Sequence, residues 1–262
     1  MKVAAAQISC RPGDLAANLE KISLFAGQAH QAGAELIVFP EMSDTGYSMA
    51  KIRQHATSWS EGAVPRLRDL ARNLSLAIVC GVSERDGEAI YNSQVVIDRT
   101  GQIIAKYRKT HLFAVPPMAE HLCFSPGDYL SDFSIAPFRF GLSICYDLRF
   151  PEVYRTLATA HQTTAFVISS AWPFPRVEHF RTLAAARAIE NQSYVIVANQ
   201  VGTEDGTTFC GSSAIIDPSG VVVAAASHER EELVQVDLSE EVLKSVRDRM
   251  NVFKDRRPNL YQ

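Results

Sequence analysis

The stretch FRFGLSICYDLRFPEV, residues 138–153, places a cysteine where an alternating apolar run gives way to a proline-led helix start. Strand alternation sets Phe138, Phe140, Leu142 and Ile144 on one face and leaves Cys145 with Gly141 and Ser143 on the other. Pro151 suits the first turn of a helix. The thiol is therefore expected on a strand-to-helix turn, near backbone N–H groups that favour negative charge. Most lone cysteines are packing residues, and burial accounts well for Cys10, Cys80 and Cys210 inside strand runs. It accounts poorly for Cys145. A thiol with an ordinary pKa of about 8.5 becomes a useful nucleophile when a base accepts its proton or a cation stabilises its thiolate.

Two other segments supply those groups. In IIAKYRK the residues Ile103, Ala105, Tyr107 and Lys109 share one face, so Lys109 ends a largely apolar row. Lys106, beside Arg108 on the opposite face, reads as a solvent lysine. In ELIVFPE an apolar strand stops at Pro40, and Glu41 follows at its C-terminal tip. Taken singly, Lys109 is a snorkelling strand-end cation and Glu41 a loop carboxylate. Taken together, a nucleophile, a cation and a carboxylate each stand at the C-terminal end of a strand, where α/β folds place their sites. Glu41 can take the thiol proton, and Lys109 can stabilise the oxyanion formed when a carbonyl is attacked.

The elements that must position these residues alternate along the whole chain. KVAAAQI, ELIVFPE, LAIVCGVSE, FRFGLSIC, TTAFVISS and SYVIVANQ read as strands. DLAANLEKISLFAGQAHQAG, with Asp14 at its start, VPRLRDLARNLS, the segment from Pro151 and RVEHFRTLAAARAIENQ read as helices. IYNSQVVIDRTGQIIAKYRK reads as a hairpin turning at Asp98–Gly101. The remainder, FCGSSAIID, VVVAAAS and ELVQVDL, is mostly strand. Helix-separated and hairpin-linked strands together indicate an α/β protein with mixed sheets. No linker or repeat divides residues 1–262, which read as one domain. The tail, about residues 248–262, is polar without helical periodicity: a frayed end or an arm held by a partner subunit.

Composition narrows the function classes. A net charge of −3 and scattered Lys and Arg argue against nucleic-acid or membrane-surface partners. No apolar run reaches the roughly 18 residues of a membrane helix. The five dispersed cysteines, with no CxxC pair and no signal peptide, read as free thiols in a reducing cytoplasm. The seven histidines form no HExxH or clustered set, so no metal is expected; GxSxG, GxGxxG and P-loop motifs are absent.

FPEMSDTGY, YRKTHLF and CYDLRFPE, in this order, resemble the nitrilase superfamily of carbon–nitrogen hydrolases. AQISCRPGDLAANL, FSPGD, ARAIENQSYVIVAN and DRRPNLY extend the resemblance over essentially the whole chain. It implies a four-layer α-β-β-α sandwich with two mixed β-sheets, a homodimer or higher homo-oligomer, and no cofactor. It also implies Cys145 as nucleophile, Glu41 as general base, Lys109 as oxyanion-stabilising cation with the backbone N–H of Tyr146, and Glu120 in PPMAEHLCFSPGD as the second glutamate, which orients the lysine. The reaction implied is amide hydrolysis through a thioester.

CYDLRFPE looks most like the ω-amidase branch, whose arginine at the position of Arg149 contacts a substrate carboxylate. A planar guanidinium suits that task. A surface arginine paired with Asp147 or Glu152 is the alternative. SSAWPFPRVEHF resembles bacterial ω-amidase-like members, which implies Trp172 near the pocket mouth, with a core aromatic as the alternative, and Tyr47 in DTGY is expected to line the pocket. The substrate expected is a small carboxylated amide, such as an ω-amide of a 2-keto dicarboxylic acid. An N-carbamoyl hydrolase or a nitrilase would use the same three residues, and a non-catalytic scaffold is the alternative from a different class.

Overall fold

The computed structural model describes residues 1–116 and 118–261. Two six-stranded mixed sheets lie face to face. The strands, in chain order, are β1 (Lys2–Gln7), β2 (Leu36–Val38), β3 (Ala77–Asp86), β4 (Ala89–Ile97), β5 (Ile103–Arg108), β6 (Asp132–Ile135), β7 (Phe138–Ile144), β8 (Ala165–Ser170), β9 (Tyr194–Asn199), β10 (Val201–Glu204), β11 (Thr207–Cys210), β12 (Ala214–Ile216), β13 (Val222–Ala225) and β14 (Glu232–Asp237). One sheet has the order β14-β1-β2-β3-β4-β5 and the other β13-β12-β9-β8-β7-β6, while β10 and β11 form a separate hairpin.

Helices α1 (Leu15–Gln31), α2 (Met49–His55), α3 (Ala63–Leu74), α4 (Pro151–Thr159), α5 (Val177–Asn191), α6 (Glu240–Arg249) and α7 (Val252–Asp255) complete the element order. Period-two alternation sorts the first sheet. Ala4, Ala6, Ile37, Phe39, Ile78 and Cys80 face α1 and α3, whereas Val3, Ala5, Leu36, Val38, Val79 and Tyr107 face the second sheet. On α1, Ile22, Phe25, Ala26 and Ala29 make the buried stripe, and Asp14 caps it by accepting from Ala17 N. Helices α4 and α5 cover the second sheet through Val153, Leu157, Phe180, Ala184 and Ala188. The result is the α-β-β-α sandwich.

Strand directions bring the relevant ends together. β1, β2 and β3 are parallel, and so are β7, β8 and β9. β5 is antiparallel to β4, which is antiparallel to β3, so β5 runs the same way as β2. The C-terminal ends of β2 and β5 therefore lie at one end of their sheet. Backbone and side-chain bonds crossing to the ends of β7 and β8 complete the site described below.

Several expectations change here. β2 keeps only three residues of ELIVFPE, because Pro40 cannot donate to a ladder. FCGSSAIID splits between β11 and β12, with Gly211 and Ser212 at positive φ between them. Cys10 is buried but lies beyond β1. Lys106 is only partly exposed: its ammonium donates to the buried Glu84 carboxylate at 3.0 Å, beside Arg108. Helices α2 and α6 were not expected. α6 is polar, with only Leu243 buried, so apolar periodicity was faint. The tail holds α6's last turn, α7 and a 3₁₀ turn at Pro258–Leu260, while Gln262 lies outside the described residues. No helix among the described residues is long and apolar enough to cross a membrane.

Candidate active site

Lys109 stands one residue past β5, and its backbone N–H donates to Asn92 O at 2.8 Å, carrying the hairpin one rung further. Its ammonium is fully buried and donates to Glu41 Oε1 at 2.8 Å and Glu120 Oε1 at 2.7 Å. Glu41, just beyond β2, is equally buried. Its Oε2 accepts from the backbone N–H of Ala171 at 2.8 Å, just past β8 in the other sheet. An ordinary loop carboxylate is excluded for it by this burial. Glu120 opens a short 3₁₀ turn. It accepts from Tyr47 Oη at 2.5 Å and from the backbone N–H of Phe113 at 2.6 Å. Asn92 Nδ2 donates to Glu41 at 2.6 Å and reaches Glu120 at 3.4 Å.

Two glutamate side chains and one lysine thus share a fully buried site. Burial and the neighbouring Glu120 charge push the Glu41 pKa up, against the pull of Lys109. Burial works to strip the Lys109 proton, but Glu120 and Glu41 outweigh it and hold the lysine charged. An ammonium has three N–H donors. Two are spent on carboxylates, which leaves one to point elsewhere.

Cys145 borders this cluster. It lines a narrow pocket of about 290 Å³, open mouth included, with Tyr47, Tyr146, Arg149, Trp172 and Arg176 among its walls. Strand parity stops at Ile144, because Cys145 has φ +45°. This corrects the shared face expected with Gly141 and Ser143. Those two lie under α4, where a Cβ on Gly141 would come within 2.9 Å of Leu157 and Ser143 Oγ meets Tyr154 Oη at 2.7 Å. A left-handed conformation at a non-glycine residue costs on the order of 1 kcal/mol and persists only where its surroundings enforce it.

The enforcing group is Asp147, fully buried. It accepts from Ile144 N at 2.9 Å and Tyr107 Oη at 2.8 Å through Oδ2, and from Thr110 Oγ1 and His111 N, both at 3.1 Å, through Oδ1. One carboxylate therefore ties the cysteine turn to the segment directly after Lys109. From the other side, Arg187 on α5 donates twice to Leu148 O, at 3.1 and 2.9 Å. Burial, followed by the Glu41 charge, pushes the Cys145 thiol well above its ordinary pKa, with Lys109 opposing. At neutral pH the resting sulfur carries its proton.

Arg149 pairs with neither Asp147 nor Glu152. Its guanidinium lies 4.7 Å over the Trp172 ring and meets His179 Nδ1 at 3.3 Å. Trp172 is 2% exposed and belongs to both the core and the pocket wall. Tyr47 lines the pocket and also holds Glu120, and Tyr146 follows Cys145 into the wall. Sequence reasoning passed over Asn92, the anchoring role of Asp147, and Arg176. Arg176 had a visible signal, since it lies four residues beyond Trp172 in the same segment.

A family model described as carbon-nitrogen hydrolase matches residues 2–248. The 2-oxoglutaramate amidase of Bacillus subtilis (strain 168) is 36% identical over 260 residues, covering 97% of this chain and 98% of that protein. Among solved structures, Saccharomyces cerevisiae Nit3, a member of branch 10 of the nitrilase superfamily, superposes with a TM-score of 0.89 at 30% identity, covering 98% of this chain and 96% of that one. A mutant of the amidase from Nesterenkonia sp. AN1, showing Michael addition of acrylamide at the active site cysteine, gives 0.86 at 29% identity, covering 100% and 98%. With its fold, its buried Glu–Lys–Glu cluster and its adjoining cysteine, this chain belongs to the carbon–nitrogen hydrolase family of the nitrilase superfamily.

Proposed function

We propose that this protein is a cysteine-dependent amidase that hydrolyses a small carboxylated amide to the acid and ammonia. The observation that carries the reading is a buried Glu41–Lys109–Glu120 cluster whose charges act on Cys145, which in turn lines a pocket with Arg149, an arginine without a carboxylate partner among the described residues. The similarity to a 2-oxoglutaramate amidase supports an ω-amide of a 2-keto dicarboxylic acid as substrate.

In this reading Cys145 Sγ attacks the amide carbon as its proton passes to Glu41, which suits a thiol held protonated at rest. The carbonyl oxygen takes the negative charge, beside the uncommitted Lys109 N–H and the backbone N–H of Tyr146. The C–N bond breaks as Glu41 returns the proton to the leaving nitrogen, giving ammonia and a thioester. Glu41 then removes a proton from water, whose oxygen attacks the thioester carbon. The acid leaves, and the sulfur is reprotonated. Glu120 and Asn92 orient Lys109 and Glu41, and Arg149 binds the substrate carboxylate over Trp172, with Tyr47 beside it. The enzyme works as a single-domain homo-oligomer in the cytoplasm, consistent with five free cysteines; sedimentation of the purified protein tests the oligomer.

The test is ammonia release from a panel holding an ω-amide of a keto acid, an N-carbamoyl amino acid and a nitrile. Brief exposure to the amide is expected to leave the acyl mass on the Cys145 peptide. Ammonia from nitriles but never from amides would overturn the reading.

A further inference from the structure

The pocket mouth carries a second arginine. Arg176 ends the 3₁₀ turn Phe174–Arg176 and lines the same pocket as Cys145 and Arg149. Its carbonyl accepts the Trp172 indole N–H at 2.9 Å, and its guanidinium lies 5.5 Å over the Phe113 ring. Trp172 therefore serves both cations, with its face under Arg149 and its edge on the Arg176 backbone. The tryptophan is itself fixed, since its backbone N–H donates to Asn199 Oδ1 at 2.8 Å. This platform is rigid.

No carboxylate among the described residues pairs with either guanidinium, whereas the half-buried Arg108 pairs with Glu84 and Asp86 and the buried Arg187 with Glu190. Burial lowers the Arg149 pKa, and the nearby Arg176 charge adds to this against the opposing influence of Tyr146. One guanidinium fork satisfies the two oxygens of a carboxylate in a single plane. A second cation supplies donors to the remaining lone pairs.

We propose that Arg176 is a specificity-determining residue: with Arg149 it forms a two-sided clamp, built on Trp172, that selects substrates ending in a carboxylate. The reaction it serves rests on the amidase reading above. The clamp itself is a binding device and is tested without turnover.

Calorimetric titration with glutarate is expected to show binding that Arg176→Gln weakens about tenfold to a hundredfold, the loss of one charge-assisted contact. Arg176→Lys, which keeps the charge without the fork, is expected to fall between. In turnover, the ratio of kcat/KM for the monoamide of glutaric acid to that for pentanamide falls by a similar factor in Arg176→Gln, and the change is carried by KM. Equal losses on both amides would mean a structural role and overturn the proposal. So would unchanged constants on both, or wild-type protein that binds glutarate no tighter than pentanamide. Protein that releases no ammonia from either amide but binds glutarate through Arg176 would sink the amidase reading and uphold the clamp.

Discussion

Replacing Lys109 with methionine is the most informative perturbation. The ammonium bonds Glu41 Oε1 at 2.8 Å and Glu120 Oε1 at 2.7 Å, so those oxygens are at most about 5.5 Å apart. Without the lysine, two buried carboxylates face each other with only Asn92 between them. At an effective dielectric near 20 their repulsion is at least about 3 kcal/mol, in line with the roughly 3–5 kcal/mol cost of breaking a buried ion pair. One carboxylate is then expected to hold a proton at neutral pH, which removes the base, and the oxyanion loses a donor worth about 10²- to 10³-fold. Urea unfolding and ammonia release measure the two losses separately. Lys109→Met/Glu120→Gln carries one carboxylate fewer, so it is expected to recover much of the stability but little of the activity. Ammonia release by Lys109→Met within about tenfold of wild type, or a double variant no more stable than the single one, would refute the reasoning.

On the acid side, kcat/KM is expected to fall as pH drops through the raised Glu41 pKa, because only the carboxylate accepts a proton; a midpoint at or below the ordinary glutamate value would contradict this. Gly81→Ala puts a Cβ 2.4 Å from Pro40 O and 2.6 Å from Glu41 Cα, so a loss of about 1–3 kcal/mol and a displaced base are expected from thermal melts and kcat. Burial pushes Glu204, which accepts from Tyr47 N and Cys10 N, up to about 7. Its folded pKa exceeds its unfolded one, so the folded state binds the extra proton and stability is lost as pH rises from about 4.5 to 7. Measured against Glu204→Gln, that loss is at most about 3 kcal/mol, and a flat difference across the window would count against it.

The sequence by itself determined most of the sandwich's strands and main helices and the catalytic candidates, because strand ends, proline stops and caps are local signals. Glu41 after Pro40, Lys109 at the end of an apolar row and Cys145 before a helix are all legible from neighbours a few residues away. It also carried enough family resemblance to name Glu120, although no local rule picks that glutamate from its loop. Only the tertiary structure decided what surrounds them. A bulge between Val96 and Ile97 shifts the β4–β5 register by one, which sets Asn92, not Tyr91, across from Lys109. A positive φ at Cys145 breaks the parity by which its facing had been read. Asp147, three residues from Ile144 in sequence, gains its meaning from Tyr107, Thr110 and His111, some forty residues away. Registers, left-handed turns and long-range hydrogen bonds are settled by packing and by the need to satisfy every buried polar group, and neither is written in a short window of residue types.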